Sequence, residues 1–281
     1  MHLQPHFLCS ECLFFTFQNK FQKTNLLQLY VSRFQSHSEI KKFKIYPLFH
    51  YYIIGIICIM GGVEVFALES IGSVVGYREM KVPFTLISEA EGTKKLVVFL
   101  PGAAYTVQSP AFHYSKYIFL EKGFDVLQVN YLYNDKVYDD FTKEELSEAI
   151  KYDVKTVLNE VLKETSYDTF YFVAKSLGTI AMTSIVNEDL FKDAHIVWLT
   201  PLLQLDDVFS AIVECENRGL CFIGDNDRCY IEDRFNQLKD KATIMASMLP
   251  NVNHRLEYDH STVESIDVLK NVIKDIQEFV V

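Results

Sequence analysis

The chain has 281 residues, of which 49% are hydrophobic, so it is long enough for one large α/β domain or two small ones. Its formal net charge is −10, although residues 1–60 hold six Lys or Arg against two Glu. Residues 61–281 therefore hold 21 basic and 35 acidic residues, a net charge of −14, which argues against nucleic-acid binding.

The first 59 residues are predicted to form no domain, because their hydrophobic residues follow neither a strand period nor a helix period. No charged residue occurs from Ile45 to Val63, and basic residues precede this stretch, which is typical of a membrane anchor. Its dense apolar part, 51–60, is short for a bilayer span. We favour the alternative that the domain begins at Met60 and that the preceding residues lie upstream of the true start. A secretory signal is not expected, because its basic region would be about 40 residues long.

The first strands are predicted where apolar and polar residues begin to alternate. Residues 73–80 and 81–87 are expected to form an antiparallel pair at a sheet edge, where Pro83 is tolerated. Residues 95–100 form a continuous apolar run, which is typical of a strand buried on both faces of a parallel sheet. A loop at 101–105 follows that strand.

Helices and strands then alternate. Ser109 and Pro110 are expected to start a helix that Gly123 ends, and a capping box at 142–145 starts a longer one. The apolar face of the longer helix is predicted to be Leu146, Ile150, Val154, Leu158 and Val161. The other predicted elements are strands at 124–130, 169–174, 194–200, 219–224 and 242–249, and helices at 177–186, 206–213 and 231–238.

A second capping box, at 261–264, is expected to start the last helix. Alternation of strands and helices over roughly 200 residues predicts a doubly wound, mostly parallel α/β sheet with helices on both faces. In such sheets ligands bind at the carboxyl ends of the strands. The apolar face of the last helix is predicted to be Ile266, Leu269, Ile273, Ile276 and Val280.

One strand end carries a serine in a distinctive setting. The strand at 169–174 leads to Ser176, and Ala174 and Gly178 lie two residues before and after this serine. A serine on a strained strand-to-helix turn requires small residues at these positions, because the backbone lies close to neighbouring chain. The pattern A-x-S-x-G therefore matches a nucleophile elbow, G-x-S-x-G, with one extra methyl group. The alternative is a serine that merely ends a buried strand.

A serine nucleophile needs a base and an acid, and in a sheet of this kind the acid precedes the histidine in the chain. Asp225 and Asp227 follow the strand at 219–224. His254 and His260 lie between the last strand and the last helix. Each loop thus offers two candidates at a strand end.

The order of these motifs resembles that of the α/β-hydrolase superfamily over residues 71–281. Leu-Pro-Gly-Ala-Ala is similar to the family's oxyanion loop, and Lys-Ser-Leu-Gly to its elbow. Gly-x-x-Asp is similar to its acid loop, and Asn-His-x-Leu-Glu to its histidine loop. The chain looks like a small lidless bacterial carboxylesterase or dienelactone-hydrolase-like protein.

The resemblance implies that Ser176 is the nucleophile, Asp227 the orienting acid and His254 the general base. It also implies that the backbone N–H groups of Leu177 and Ala103 form the oxyanion hole, for which Ala104 is the alternative donor. Dienelactone hydrolases proper carry a cysteine at the nucleophile position, so that specific activity is not implied. The residues with implied roles are Ser176, Asp227, His254, Leu177 and Ala103, with Ala104 as the alternative.

We therefore expect a serine hydrolase of small carboxylic esters that works through an acyl-enzyme, with neither a metal nor an organic cofactor. The alternatives are a non-catalytic binding protein that keeps the fold, and a hydrolase anchored to the membrane by its N-terminal segment. A lid is not expected, because only one helix fits at 201–218, where this fold commonly carries one. The acyl and alcohol specificity and the oligomeric state stay open.

Three further residues near these motifs, and the cysteines, are interpreted without a chemical role. Lys175 is interpreted as a solvated charge rather than as a site for an anionic substrate, and His113 and His195 as packing or surface residues. The cysteine spacing indicates neither a disulfide framework nor a zinc site, so a reducing, cytoplasmic compartment is expected. The cysteines are Cys9, Cys12, Cys58, Cys215, Cys221 and Cys229.

A chain that begins at Met60 is expected to be more soluble than the full chain and equally active per folded molecule. The reason is that it lacks most of the uncharged stretch and keeps every predicted element and site residue. Thermal midpoint, solubility and specific activity of both forms check this. Misfolding of the shorter form would show that the N-terminal segment packs on the domain, and pelleting of the full chain with membranes would favour the anchor.

Overall fold

The computed structural model describes residues 52–55, 68–89, 92–163 and 165–281, with the backbone alone for 52–55. These residues all belong to a unit that spans Phe49–Val281. Nine strands of this part form one sheet. They are β1 (Tyr52–Gly55), β2 (Leu68–Val75), β3 (Lys81–Ser88), β4 (Lys95–Leu100), β5 (Asp125–Val129), β6 (Thr169–Lys175), β7 (His195–Leu199), β8 (Gly219–Gly224) and β9 (Ile244–Leu249).

The strands follow the order β1-β2-β3-β5-β4-β6-β7-β8-β9 across the sheet. The first four in this order pair antiparallel, and all pairs from β5 to β9 are parallel. Every residue of β5 and β8 is buried, because helices cover the sheet on both sides. The predicted doubly wound, mostly parallel sheet is confirmed.

Two helical layers enclose the sheet, and each has its own hydrophobic core. Helices α2 to α5 pack on one face, around a core that includes the buried Trp198. Helices α1 and α6 pack on the other face, around a core that includes Phe99. The helices are α1 (Pro110–Glu121), α2 (Lys143–Leu162), α3 (Gly178–Ile185), α4 (Asp206–Glu214), α5 (Glu232–Lys239) and α6 (Thr262–Phe279).

The first antiparallel pair differs from its predicted bounds. Strand β2 begins at Leu68 and ends at Val75, so the predicted strand at 73–80 is wrong over its second half. Arg78 and Glu79 have φ values of 51° and 60°, and residues with positive φ cannot continue a strand. The guanidinium of Arg78 bonds the carboxylate of Glu145 and lies 4.6 Å from the ring centre of Phe141, so contacts with later elements hold this turn.

The capping box of α2 is confirmed, because Thr142 Oγ1 accepts from Glu145 N at 3.1 Å and Glu145 Oε2 accepts from Thr142 N at 3.0 Å. Ser261 is the N-cap residue of α6, as predicted, but the predicted capping box is wrong, since the side chain of Ser261 makes no capping hydrogen bond. The predicted apolar face of α6 is wrong at Ile266, which is 59% exposed, whereas Leu269 and Ile273 pack against the core and Ile276 and Val280 are buried. The buried residues of this segment are Val268, Val272, Ile276 and Val280.

Strand β1 lies in the segment for which no element was predicted, and it pairs antiparallel with β2. The rest of the uncharged stretch before residue 64 lies outside the described residues. Of the helices in the described part, none is both long and apolar enough to cross a bilayer. The domain boundary at Met60 stays a prediction, and removal of the first 59 residues would make β2 the edge strand.

Candidate active site

Ser176 stands on a strained turn between β6 and α3. Its φ is 50°, in the left-handed region that a residue with a Cβ seldom adopts. A Cβ added to Gly178 would lie 2.2 Å from the carbonyl oxygen of Leu100, so only glycine lets the start of α3 pass β4. Ala174 pairs with Leu100 and Trp198 on the neighbouring strands. The serine is therefore held at the carboxyl edge of the sheet as the motif predicts.

His254 lies between Ser176 and Asp227. Its Nε2 is 2.7 Å from the Oγ of Ser176, and its Nδ1 is 2.7 Å and 2.8 Å from the two carboxylate oxygens of Asp227. The Asp227 side chain is fully buried, whereas the His254 side chain is 23% exposed. Asp227 Oδ1 also accepts from the backbone N–H of Cys229 at 2.8 Å. The hydrogen-bonded series is thus fully buried at Asp227 and partly exposed to solvent at His254.

The two competing candidates lie apart from this chain of hydrogen bonds. Asp225 is exposed, and its carboxylate accepts from the backbone N–H of Asn251 at 2.5 Å. His260 is exposed in the loop that precedes α6. The structure brings Asp227 rather than Asp225, and His254 rather than His260, to Ser176.

No protein-family model and no curated protein matches this chain. Solved structures do match it. An α/β serine hydrolase homologue from Coxiella burnetii has a TM-score of 0.54 at 12% identity, over 83% of this chain and 99% of its own. A lidless α/β serine hydrolase from Xanthomonas campestris has a TM-score of 0.53 at 12% identity, over 82% and 97%. A dienelactone hydrolase from Anabaena variabilis has a TM-score of 0.53 at 16% identity, over 75% and 96%.

The chain has the α/β-hydrolase fold. Among the described residues, the connection between β7 and β8, where this fold commonly carries a lid, holds only the nine-residue helix α4. In this fold the reactive groups lie at the carboxyl ends of the strands. The elbow after β6 and the loops after β8 and β9 lie at these strand ends. At identities of 12% to 18% the likeness concerns the fold, so chemistry has to be argued from the residues.

The loop after β4 lies beside the serine of this α/β-hydrolase fold. A Cβ added to Gly102 would lie 3.3 Å from the Cβ of Ser176. The N–H of Gly102 donates to the carbonyl of Tyr105 at 3.1 Å, which folds the loop back on itself. Within the described residues, the N–H groups of Ala103, Ala104 and Leu177 have no backbone carbonyl as acceptor. The two predicted oxyanion donors and the alternative donor Ala104 therefore stay predictions.

A buried polar chain that the motifs did not indicate supports this loop. Tyr131 donates to the carbonyl of Pro101 at 2.8 Å, and its ring lies 4.8 Å from that of Tyr133. Tyr133 donates to Asp153 at 2.6 Å. Burial raises the pKa of the Asp153 carboxyl above its usual value, partly offset by the hydrogen bonds from Tyr133 and from the N–H of Tyr77. The only sequence signal is Asp153 itself, a charged residue on the apolar side of α2.

The histidine loop is held by residues that the sequence motifs did not single out. Asn253 Oδ1 accepts from the backbone N–H of Arg255 at 2.8 Å, and its Nδ2 donates to Asp259 at 2.7 Å. The other oxygen of Asp259 accepts from Asn226 Nδ2 at 2.9 Å. Asp259 thus joins the loop that carries His254 to the loop that carries the acid.

The interpretation of Lys175 as a solvated charge is wrong. The residue is 1% exposed, and its Nζ donates to Thr200 Oγ1 at 2.6 Å and to the His254 carbonyl at 2.7 Å. Desolvation lowers the pKa of its ammonium to about 7, although the charge of Asp227 acts in the opposite direction. The loops that follow β7 and β9 cover the Lys175 side chain. No sequence pattern near the elbow indicates this burial.

His113 and His195 are consistent with packing. The His195 ring stacks on Tyr171 with the ring centres 4.6 Å apart and 12° between the planes. His113 contacts Tyr114 and Tyr117 on α1 at ring-centre distances of 5.2 Å and 5.3 Å. Neither histidine is among the hydrogen-bond partners of Ser176.

One group of residues in the described part has ligand atoms close enough together for a metal ion. One atom each of Asp227, Cys229 and His254 lie within 4.8 Å of one another. Cys229 is buried, and burial raises the pKa of its thiol. A metal there would compete for the carboxylate and imidazole atoms that now bond each other. The cysteines that the structure describes, Cys215, Cys221 and Cys229, are free thiols, and all are buried.

The buried lysine predicts a specific pH dependence of stability. In the unfolded chain Lys175 keeps its ordinary pKa of 10.5, against about 7 in the folded protein. Between these values the unfolded chain binds more protons, so the free energy of unfolding rises with pH across this window. Lys175→Met removes this slope. The free energy of unfolding of wild type, relative to that of the variant, is therefore expected to rise by at most about 5 kcal/mol as pH rises from about 7 to about 10.

Denaturant unfolding of both proteins across this range measures the difference. Lys122→Met is the control, because it also removes a lysine that donates to backbone carbonyls, but outside the candidate active site. The Nζ of Lys122 bonds the carbonyls of Gln277 and Val280, at a contact between α1 and the C-terminus of the chain. A wild-type minus Lys175→Met difference that does not change with pH would show that Lys175 keeps an ordinary pKa.

Proposed function

We propose that the protein is a serine hydrolase that cleaves small carboxylic esters or related acyl compounds. The observation that carries the proposal is the hydrogen-bonded series from Ser176 through His254 to Asp227, with 2.7 Å between Oγ and Nε2. This is the separation that direct transfer of a proton from a hydroxyl to an imidazole requires.

In this proposal Ser176 Oγ attacks the acyl carbon while His254 Nε2 takes the hydroxyl proton. The tetrahedral intermediate then expels the alcohol, which receives that proton from Nε2, and leaves an ester on Ser176. Water then attacks the acyl carbon of this acyl-enzyme and gives a proton to His254 Nε2. The second tetrahedral intermediate expels Ser176 Oγ, which takes that proton back from Nε2, and the carboxylic acid is released. Asp227 accepts a hydrogen bond from Nδ1–H and holds the tautomer that leaves Nε2 free to accept.

The negative oxygen of the tetrahedral intermediate would be bound by the N–H groups of Leu177 and Ala103, with Ala104 as the alternative to Ala103. Leu177 follows the nucleophile directly, and the 103–104 loop lies beside it. Backbone donors that have no other acceptor need no rearrangement when the charge develops, which is why such groups contribute strongly to catalysis. The proposed chemistry calls for neither a metal nor an organic cofactor.

Comparison with esterases of the same fold supports an ester substrate. The structures that match include a cold-adapted esterase from an Arctic intertidal metagenomic library, at 13% identity and a TM-score of 0.55. They also include Est1E from Butyrivibrio proteoclasticus with ferulic acid bound, at 15% identity and a TM-score of 0.56. We propose an acyl substrate for this chain because these structures share its fold. Location in the cytoplasm or at a membrane is a separate matter, which fractionation of the full chain would test.

Hydrolysis of p-nitrophenyl acetate tests the proposal. Release of p-nitrophenolate together with a transient acetyl adduct on the protein would support a serine hydrolase with an acyl-enzyme. A folded protein that neither releases the phenolate nor forms the adduct with any short ester would favour the second reading, a binding protein that keeps the fold.

The substrate range is expected to favour short acyl chains, without activation at a lipid interface. Helix α4 is the only helix between β7 and β8, so this connection is too short to form a mobile lid that opens on a lipid surface. A series of p-nitrophenyl esters of graded chain length, assayed below and above the micellar threshold, measures this. A sharp rise in rate above the threshold for a long-chain ester would contradict it.

A further inference from the structure

Lys175 occupies a position that links the loops of the candidate active site. It is the last residue of β6 and directly precedes Ser176. Its Nζ bonds the hydroxyl of Thr200, just beyond the end of β7, and the backbone carbonyl of His254. The same Nζ lies 4.7 Å from the ring centre of Tyr105, in the loop after β4. Three loops thus meet at one nitrogen atom.

Nζ has two oxygen acceptors, at 2.6 Å and 2.7 Å, and an aromatic face on a third side. An ammonium has three N–H bonds and a neutral amine has two, so both acceptors receive a hydrogen bond in either protonation state. The acceptors are a hydroxyl and a carbonyl, so Lys175 forms no direct ion pair. A buried lysine without one costs stability, which makes a purely stabilising role a poor explanation for it.

We propose that Lys175 is a positioning residue that fixes the backbone of His254 relative to Ser176 and so keeps Nε2 within reach of Oγ. The inference rests on the proposed hydrolase function. The backbone of Lys175 is joined directly to Ser176, and its side chain donates a hydrogen bond to the backbone carbonyl of His254. Lys175 therefore connects the nucleophile and the base through a single residue.

The loop of His254 needs such an attachment because of its backbone. Asn251 and Leu256, on either side of His254, have φ values of 58° and 66°. Asn253 and Asp259 tie the loop to the acid loop, and Lys175 is the contact that ties the histidine's own peptide group to the elbow. Without it the imidazole can shift, and a displacement of about 1 Å is enough to lower a rate about 100-fold.

Lys175→Met is the direct test, because methionine fills much of the volume and donates no hydrogen bond. We expect kcat to fall about 100-fold with KM little changed, since the base is displaced and the substrate cleft is not. At about pH 7 the thermal midpoint should change little, because the lost hydrogen bonds are offset by the removal of a buried ammonium, and wild type should gain on the variant as pH rises above this value. Lys122→Met is the matched control, and it should keep the wild-type kcat.

Two Thr200 variants provide a second test that does not depend on removal of the lysine. Thr200→Val deletes one acceptor of Nζ at nearly constant volume, and Thr200→Ser restores the hydroxyl. We expect Thr200→Val to lower kcat and Thr200→Ser to recover it. If Lys175→Met fails to fold, this pair decides the matter, and equal kcat values for valine and serine would overturn the proposal.

A spectroscopic readout separates this inference from the proposed function. The low-field proton resonance of His254 Nδ1–H, bonded to Asp227, should be present in wild type and in Ser176→Ala, and lost or shifted in Lys175→Met. An unchanged resonance in Lys175→Met, or a kcat like that of wild type, would overturn the positioning role. Absence of both turnover and acyl adduct in wild type would instead sink the hydrolase function, while the resonance would still test the role of Lys175.

Discussion

Replacement of Ser176 by alanine is expected to abolish ester turnover, with a loss in kcat of roughly a million-fold. The Oγ atom that it removes is the one bonded to His254 Nε2 at 2.7 Å. Because the base then has no nucleophile to activate, only the slow background due to binding and the oxyanion hole remains.

The fold should survive this substitution. Ser176 is half-buried at a turn with φ of 50°, and alanine keeps the Cβ that this backbone already accommodates. Equal thermal midpoints would show that the loss is chemical. Activity within tenfold of wild type would remove Ser176 from the proposed role.

Substitutions at the acid and the base are expected to be severe at one member of each pair and mild at the other. His254→Ala should cost about as much as loss of the serine, and Asp227→Asn about ten thousand-fold in kcat. An asparagine at 227 no longer favours the histidine tautomer that leaves Nε2 free. The kcat of each variant on one short ester measures these effects.

The matched controls are Asp225→Asn and His260→Ala, which lie on the same two loops and are exposed. Each should keep most of the wild-type kcat. Asp225→Asn is expected to weaken the hydrogen bond that the N–H of Asn251 donates to the side chain at position 225. If either control is the crippling variant, the proposed assignment is wrong at that loop.

The sheet could be predicted because its strands are recognisable one at a time. The apolar runs at 95–100 and 219–224 appear as β4 and β8, because burial on both faces leaves no polar positions. The elbow could be predicted for a similar reason, since Gly178 is required by a backbone oxygen 2.2 Å from where its Cβ would lie. Each of these signals is local.

Other features depended on parts of the chain far away in sequence. The choice between Asp225 and Asp227 depends on which carboxylate faces a histidine 27 residues beyond Asp227. Lys175 is buried by contacts with Thr200 and His254, which are 25 and 79 residues away. The prediction for α6 is wrong at Ile266 because the start of this helix is exposed, with Val263 73% and Ile266 59% exposed. Tertiary packing, rather than local pattern, decides such positions.

Covalent labelling with a fluorophosphonate tests whether Ser176 is an activated nucleophile, because only an activated serine reacts quickly with such a probe. We expect a single adduct on the wild-type protein, located by mass spectrometry on the peptide that contains Ser176, and none on Ser176→Ala. An unlabelled, folded wild-type protein, or an adduct that persists in Ser176→Ala, would contradict it.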